Sequence, residues 1–366
     1  SESFRRCCPD FYGSGSGFQP TVPGSANVLK YRLPLPMNFS LFRSRSAEGL
    51  HRSIASGSFM PRQVVALFAA AVLSGVARAD LLVLQPGGSG KGPGVIQRFD
   101  EATGMRLSTF GESNEGMRGM CLAANGQLLV TANTLGQCDL YRFDHSGQFL
   151  GAVSEGTSVE LTAIAAVADG ALFGLVLENG VSPARYRLVR IARDGTVADL
   201  TVPDTVELSA PRALAVGRDG HLYVADQVRG VLRFDGRSGN FLGVFVAPGR
   251  GGLQDPSRLA FGADGRLYVA SAFDHSVRRF NAATGAFEDV FVAAGSGGLR
   301  QPGGLAFGPD GHLYISSRET HQVLRYDGAT GAFMNVFATY PDLRGPTWLV
   351  FTPTRGVATA SGLARK

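Results

Sequence analysis

Tryptophan appears once in the 366 residues, histidine six times and cysteine four times, and charged side chains make up only 18%. The cysteines fall in two pairs, Cys7 with Cys8 and Cys121 with Cys138, and no Cys-x-x-Cys occurs from residue 80 onward. The same stretch has no G-x-S-x-G, P-loop or H-E-x-x-H, which removes the usual nucleophile-elbow, phosphate-cradle and zinc-protease readings. No segment of that body sustains a 3.6-residue apolar period, so helices find no support. Excess positive charge is also missing where a nucleic-acid binder would need it. The whole chain carries +5, but residues 1–79 hold nine basic and three acidic groups, a net of +6, whereas residues 80–366 hold 26 and 27, a net of −1. The body therefore offers no electrostatic case for a polyanion partner.

The basic front end has its own explanation. From Met60, Arg62 forms a short positive region, Val64 to Val76 an apolar run and Ala77-Arg78-Ala79 an A-x-A cleavage site, the pattern of a secretory signal peptide over residues 60–79. That run of roughly 13 residues falls short of the ~20 needed to span a bilayer. The expectation is export, with cleavage near Ala79 giving a secreted or periplasmic protein without a stable membrane span. Residues 1–59 show no periodicity and read as a non-native leader from translated upstream sequence, or else as a disordered or targeting extension. Export would permit a bridge between Cys121 and Cys138, though they fall two strands apart in the register below, a long reach.

What the chain has in abundance is glycine, 49 residues of it, beside 44% hydrophobic residues. The glycines punctuate a repeat. Residues 211–246, 256–292 and 302–337 repeat one sentence, PRALAVGRDGHLYVADQVRGVLRFDGRSGNFLGVFV in the first copy, with initial prolines 45 and 46 residues apart. That period indicates propeller blades. Each copy parses into four short strands of period-2 alternation, such as Ala213 to Val216, His221 to Ala225, Val231 to Phe234 and Phe241 to Phe245. Strands one and two meet at Asp219-Gly220, Asp264-Gly265 and Asp310-Gly311, where positive φ requires glycine. Weaker copies over residues 117–153 and 161–200 make five blades, the second of these with insertions around Glu178 to Pro183 and Pro203 to Leu208.

The two ends complete each other. Leu81 to Leu84, Val95 to Phe99 and Met105 to Phe110 supply strands two to four, and Trp348 to Phe351 supplies a first strand. The expected fold is thus all-β, a six-bladed β-propeller of four-stranded blades, its domain spanning residues 80–360 with 361–366 as a tail. The sixth blade joins residues 80–113 with 346–360 and closes the ring, removing open edges. Seven blades would need one that the sequence does not show.

The runs LYVADQVRGVLRF, LYVASAFDHSVRRF and LYISSRETHQVLRY resemble the NHL repeat, and the resemblance covers roughly residues 80–355. It implies a fold and no single activity, because NHL-like propellers include protein and RNA binders, lyases and lactonases. The chain is similar in form to streptogramin lyases, yet Tyr223, Tyr268 and Tyr314 stand where those repeats carry Trp and Glu. Gluconolactonase-type propellers need carboxylates and amides converging on a divalent metal, a set that cannot be aligned here.

In a propeller the loops joining strands two and three share one face with the blade-to-blade connectors. The candidate ligand-binding residues on that face are Asn133, Glu178, Asp226, Asp274, His275, Ser317, Arg318 and His321, with Gln85, Ser271, Arg229, Asp255, Glu319 and Arg344 beside them. Asp226, Asn133 and Glu178 could offer oxygen ligands to Ca²⁺ or Mg²⁺, but a strand-end Asp more often serves its own turn. His275 and His321 fall at equivalent positions of separate blades, with no third soft ligand for zinc. The resulting expectation is a monomeric, non-catalytic module without cofactor, binding an unidentified protein, glycan or small molecule but not nucleic acid. The alternative is a metal-dependent hydrolase or lyase, lactonase-like or streptogramin-lyase-like, with its site at the channel mouth.

Overall fold

The chain divides into two compact units, Ser1–Leu67 and Phe68–Lys366, and the computed structural model describes only residues of the second. Those are residues 79–353 without 88–92, 114–115, 135–136, 158–159, 168, 179–184, 194–195, 201–206 and 341. The proposed leader, the signal segment up to residue 78, residues 179–183 and 203–206 of the two insertions, and the tail lie outside them.

Three strands open the unit, β1 (Asp80–Gln85), β2 (Gly94–Asp100) and β3 (Arg106–Ser113). Two blades follow: β4 (Met117–Leu122), β5 (Leu128–Thr134), β6 (Gln137–Phe143) and β7 (Phe149–Thr157), then β8 (Glu160–Ala166), β9 (Leu172–Glu178), β10 (Arg185–Ile191) and β11 (Val197–Asp199). The three near-identical copies are β12 (Pro211–Val216), β13 (Leu222–Asp226), β14 (Gly230–Phe234) and β15 (Phe241–Val246); β16 (Pro256–Phe261), β17 (Arg266–Ser271), β18 (Ser276–Asn281) and β19 (Phe287–Val292); and β20 (Pro302–Phe307), β21 (Leu313–Ser317), β22 (Gln322–Tyr326) and β23 (Phe333–Thr339). Last comes β24 (Trp348–Phe351), which pairs with β1 so that the closing sheet runs β24-β1-β2-β3. The result is six four-stranded antiparallel sheets. Their first strands β4, β8, β12, β16, β20 and β24 neighbour one another in a closed ring, each blade lying against the next. This is the six-bladed propeller, with its ring shut by strands from both ends of the chain.

Local chemistry repeats from blade to blade. At the turn from first to second strand, Gly220, Gly265 and Gly311 sit at φ 76°, 76° and 79°, while the aspartate before each keeps ordinary φ. That aspartate works through its carboxylate instead: Asp219 accepts the His221 N–H at 3.1 Å and the Tyr223 O–H at 2.8 Å. Asp264 and Asp310 hold Tyr268 and Tyr314 in the same way, at 2.7 and 2.8 Å. The turns from third to fourth strand are Asx turns, in which Asp235 accepts from the Arg237 and Ser238 N–H groups and Asp327 from Ala329 and Thr330.

The expected period-2 alternation holds only at the rim. The outer strand β15 alternates half-buried and exposed residues, but β13 and β21 are buried throughout. A second strand is covered on both faces by the adjoining blades, so it reads as a continuous apolar run. The recurrent arginine before each third-strand aromatic packs within its own blade: Arg279 pairs with Asp289 and lies 4.9 Å from the Phe291 ring of its own fourth strand, and Arg233 lies 5.6 Å from Phe245. Cys121 is a free thiol; the Cys138 side chain lies outside the described residues.

Blades join through their second-strand tyrosines. Tyr223 wedges between Phe245 of its own blade and Phe261 of the next, with ring centroids 4.9 and 5.0 Å away and both contacts edge-on. Tyr268 sits likewise between Phe291 and Phe307, and Tyr314 between Phe337 and Phe351. Phe351 belongs to β24, so the closing strand makes the same joint as a blade of continuous chain. A backbone contact repeats with it. Gly331 and Gly285, both at positive φ, are pressed so closely on the preceding blade's Phe291 and Phe245 carbonyls that a Cβ would lie 1.8 and 2.0 Å from them. Gly104, from the other end of the chain, meets the Phe337 carbonyl identically.

Two predictions follow from this joint. Ending the chain before Pro346 removes β24 with Trp348, Leu349 and Phe351, each large apolar side chain worth roughly 1.5–3 kcal/mol when buried. The melting temperature should fall by at least about 10 °C; unchanged melting would refute closure through the ends. Secondly, burial and the adjoining Asp219 and Asp264 carboxylates push Tyr223 and Tyr268 up to about 12, and Tyr314 moves in the same direction. Their folded values lie above the unfolded value of ~10, so this stabilisation is complete below pH ~10 and is lost as pH rises through about 12. Ultraviolet titration should therefore find these tyrosines silent near pH 10 and ionising together with unfolding at higher pH. Ionisation of all nine tyrosines near pH 10 in the folded protein would contradict the joint.

Candidate functional site

The first strand begins where the second ends, as the pairings Pro211–Asp226, Pro256–Ser271 and Pro302–Ser317 show, so the connectors and second-to-third turns do share a face. Side chains at the second-strand ends reach into that junction and hold it. Asp226 is fully buried, and its carboxylate accepts four backbone N–H groups: Ser209 at 2.9 Å and Ala210 at 3.1 Å on one oxygen, Val228 and Arg229 at 2.9 Å on the other. At the equivalent place Ser271 Oγ accepts the Gln254 N–H at 2.9 Å and donates to the Gln254 carbonyl at 2.8 Å. Ser317 does the same for Arg300, and Gln85 Oε1 accepts the Arg344 N–H at 2.8 Å. In the three repeated copies and the closing blade, one position thus pins the incoming connector to its own blade.

The histidines pin it to the blade before. His275 and His321 occupy the left-handed turn position that Gly230 fills one blade earlier, with φ 58°, 59° and 84°. Nδ1 of His321 accepts the Gly345 N–H at 3.0 Å, and Nδ1 of His275 stands 3.1 Å from both the Gln301 nitrogen and the Ala272 carbonyl oxygen. In His321 the accepting Nδ1 places the proton on Nε2. The other candidates are committed locally. Asp274 binds Arg278 and Ser276, and Glu178 is paired with Arg187 at 2.7 Å. The Asn133 side chain lies outside the described residues. Arg318 differs from all of these. Its backbone N–H donates to the Gln301 carbonyl at 3.2 Å and its stem lies against Gly303, but its guanidinium makes no hydrogen bond or ion pair among the described residues.

A feature that sequence reading missed closes the channel at this face. Arg258 reaches from β16 to β24, where Nε donates to the Thr347 carbonyl at 3.1 Å and the guanidinium lies 4.2 Å from the Trp348 ring centroid. Its Nη1 donates to the Arg212 carbonyl at 3.0 Å, and Trp348 Nε1 donates to the Arg118 carbonyl at 2.7 Å. Together the two side chains tie β4, β12, β16 and β24 across the mouth. Below them lies a cavity of about 290 Å³ lined largely by Met120, Ile164, Leu214, Leu259, Leu305 and Leu349. Arg258 keeps some access to the channel, yet burial, then the nearby Arg318 and Arg212 charges, push its pKa down to about 9, so it remains cationic at neutral pH. The signal was present in the repeat: Ala213 and Gly304 are its equivalents in the adjoining blades, and an arginine among such small residues breaks the pattern.

Among the described residues no cluster of three His, Cys, Asp or Glu side chains is placed to hold a metal ion. Asp226 fits a cation poorly, since each of its oxygens already faces two backbone donors. Glu178 would have to leave Arg187.

Solved structures resembling this chain include one of the nidogen/laminin complex, with a TM-score of 0.58 and 16% identity over 75% of this chain and 98% of that one. A protein of unknown function from Bacteroides caccae gives 0.54 and 14%, covering 76% of this chain and 100% of that one. A streptogramin B lyase gives 0.51 and 13%, covering 76% and 92%. These likenesses show the fold alone. No protein-family model and no curated protein matches the chain.

The pinning role of Asp226 is testable. Asp226→Ala strips the partner from four buried N–H groups and should cost about 3 kcal/mol or more in urea unfolding. Asp226→Ser, which copies the neighbouring blades, should recover part of that loss. Equal stability of wild type and Asp226→Ala would remove the structural assignment.

Proposed function

We propose that this chain is an exported, non-catalytic binding propeller that takes a protein ligand on its loop face and uses no cofactor. The observation that carries this reading is what the face leaves exposed once its pins are accounted for. Phe273 and Val228, at equivalent tips of the second-to-third turns in adjacent blades, are 71% and 56% exposed. An aromatic ring held out on a turn that Asp274 and His275 rigidify loses little entropy on docking, which favours it as a binding anchor. Exposed polar groups lie nearby in the repeat: Arg229 follows Val228, Arg212 bonds to Gln227 at 3.0 Å, and Glu319 is the residue at the equivalent tip of the next blade. A hydrolytic reading would need Asp226 or Glu178, and both serve the scaffold. The likeness to a chain from the nidogen/laminin complex supports a protein as ligand, while its low identity leaves the partner's nature to experiment.

Selection of random displayed peptides on the immobilised full chain tests the reading, with Val228→Asp/Phe273→Asp as the counter-screen. Enriched peptides should bind wild type at least about tenfold more tightly than the double variant, a difference of about 1.4 kcal/mol. Peptides indifferent to both substitutions would place recognition elsewhere and overturn the proposal.

A further inference from the structure

Beside the plugged channel mouth, between the β20–β23 blade and the closing blade, the loop face holds a hollow of about 480 Å³. That is the size of a small-molecule site. Its lining includes Arg318, Arg344, His321, Gln301 and Glu319. Neither guanidinium makes a hydrogen bond or ion pair among the described residues, although both belong to residues whose backbone is firmly held. On the same face Arg118 is paired with Glu160 at 2.9 Å, and Arg212 with Asp255 at 3.7 Å and Gln227 at 3.0 Å.

The frame around the two free guanidiniums is built from both blades. Gln85 fixes the Arg344 N–H from one side, and His321 fixes the Gly345 N–H from the other. Arg318 is set by its N–H bond to Gln301 and by Gly303, whose missing side chain is what lets the stem lie flat: a Cβ there would be 2.4 Å from Arg318 Cγ. Because Nδ1 of His321 accepts, its Nε2 is a donor. Positive charge accumulates here. Burial and the Arg212 charge disfavour the charged form of Arg318, with Asp255 and Glu319 opposing them in part.

We propose that this hollow is an oxyanion site for a small ligand bearing a carboxylate or phosphate, gripped by the Arg318 and Arg344 guanidiniums with His321 Nε2–H as a further donor. Two guanidiniums lining one hollow on a preorganised frame suit an oxyanion because the ligand replaces water at groups that are already positioned. The proposal goes beyond the loop-face reading and stands on different blades from Val228 and Phe273, so either can fail alone.

Calorimetric titration of the full chain with inorganic phosphate and with succinate, at constant ionic strength maintained with sodium chloride, tests it. Saturable one-to-one binding of either probe is expected, and the probe that binds identifies the oxyanion. Arg318→Met and Arg344→Met should each weaken binding at least about tenfold. Both variants should melt as wild type, since neither guanidinium bonds to any of the described residues. Absence of saturable binding by both probes, or binding unchanged in both variants, overturns the site.

Discussion

The contact on which the ring depends is the buried tyrosine between blades. Its ring is an apolar wedge shared by two sheets, and its hydroxyl must find an acceptor because it is carried into the interior with them. The turn aspartate supplies that acceptor, and the Asp-Gly dipeptide therefore does two things: glycine makes the turn and aspartate satisfies the wedge. A blade alone would expose half of this joint, so blades are stable only in company. The geometry explains why the chain must close on itself. Without β24, Tyr314 would lose the Phe351 ring and its face would be left to water.

This logic makes the fold legible from residues alone. Glycines at fixed offsets, Asp-Gly before each LY, and three prolines at nearly equal spacing admit a single architecture, and the half-sheets at the ends find their partner by the same grammar. What the grammar does not convey is direction and cover. LYVAD and GNFLGVFV look like similar strands on paper, but one is sandwiched between sheets and the other lies at the rim, so only the second alternates. The arginine beside each aromatic was equally ambiguous, because stems of that length reach either a neighbouring blade or an outer strand of the same one.

The repeat places the candidate residues together on the loop face, yet their use could not be read there. An aspartate, a serine and a glutamine at one repeat position share no chemistry except a side-chain oxygen, and that oxygen is the property the connector needs. The same holds for His275 and His321, where a glycine serves one blade earlier: the left-handed turn comes first, and at His321 the ring nitrogen adds a bond to the next connector. Polar side chains at a channel mouth are thus consumed by the backbone before any ligand is considered.

In a repeat protein this turns the usual search around. Residues that recur across blades are explained by the joints and pins that every blade requires, and they carry little information about what is bound. Residues that break the pattern have no such explanation. Arg258 stands where its neighbours have Ala213 and Gly304, and it crosses the channel to Trp348. Arg318 follows the pinning serine where Ala272 and Gln227 follow its equivalents, and the Gly303 beneath it is matched by Ser257 and Arg212 one and two blades away. An arginine that spreads over a glycine while its guanidinium bonds to none of the described residues has been positioned at some conformational cost and with no return to the fold. The scaffold's own needs end at that point on the surface, and the chemistry of a ligand begins there.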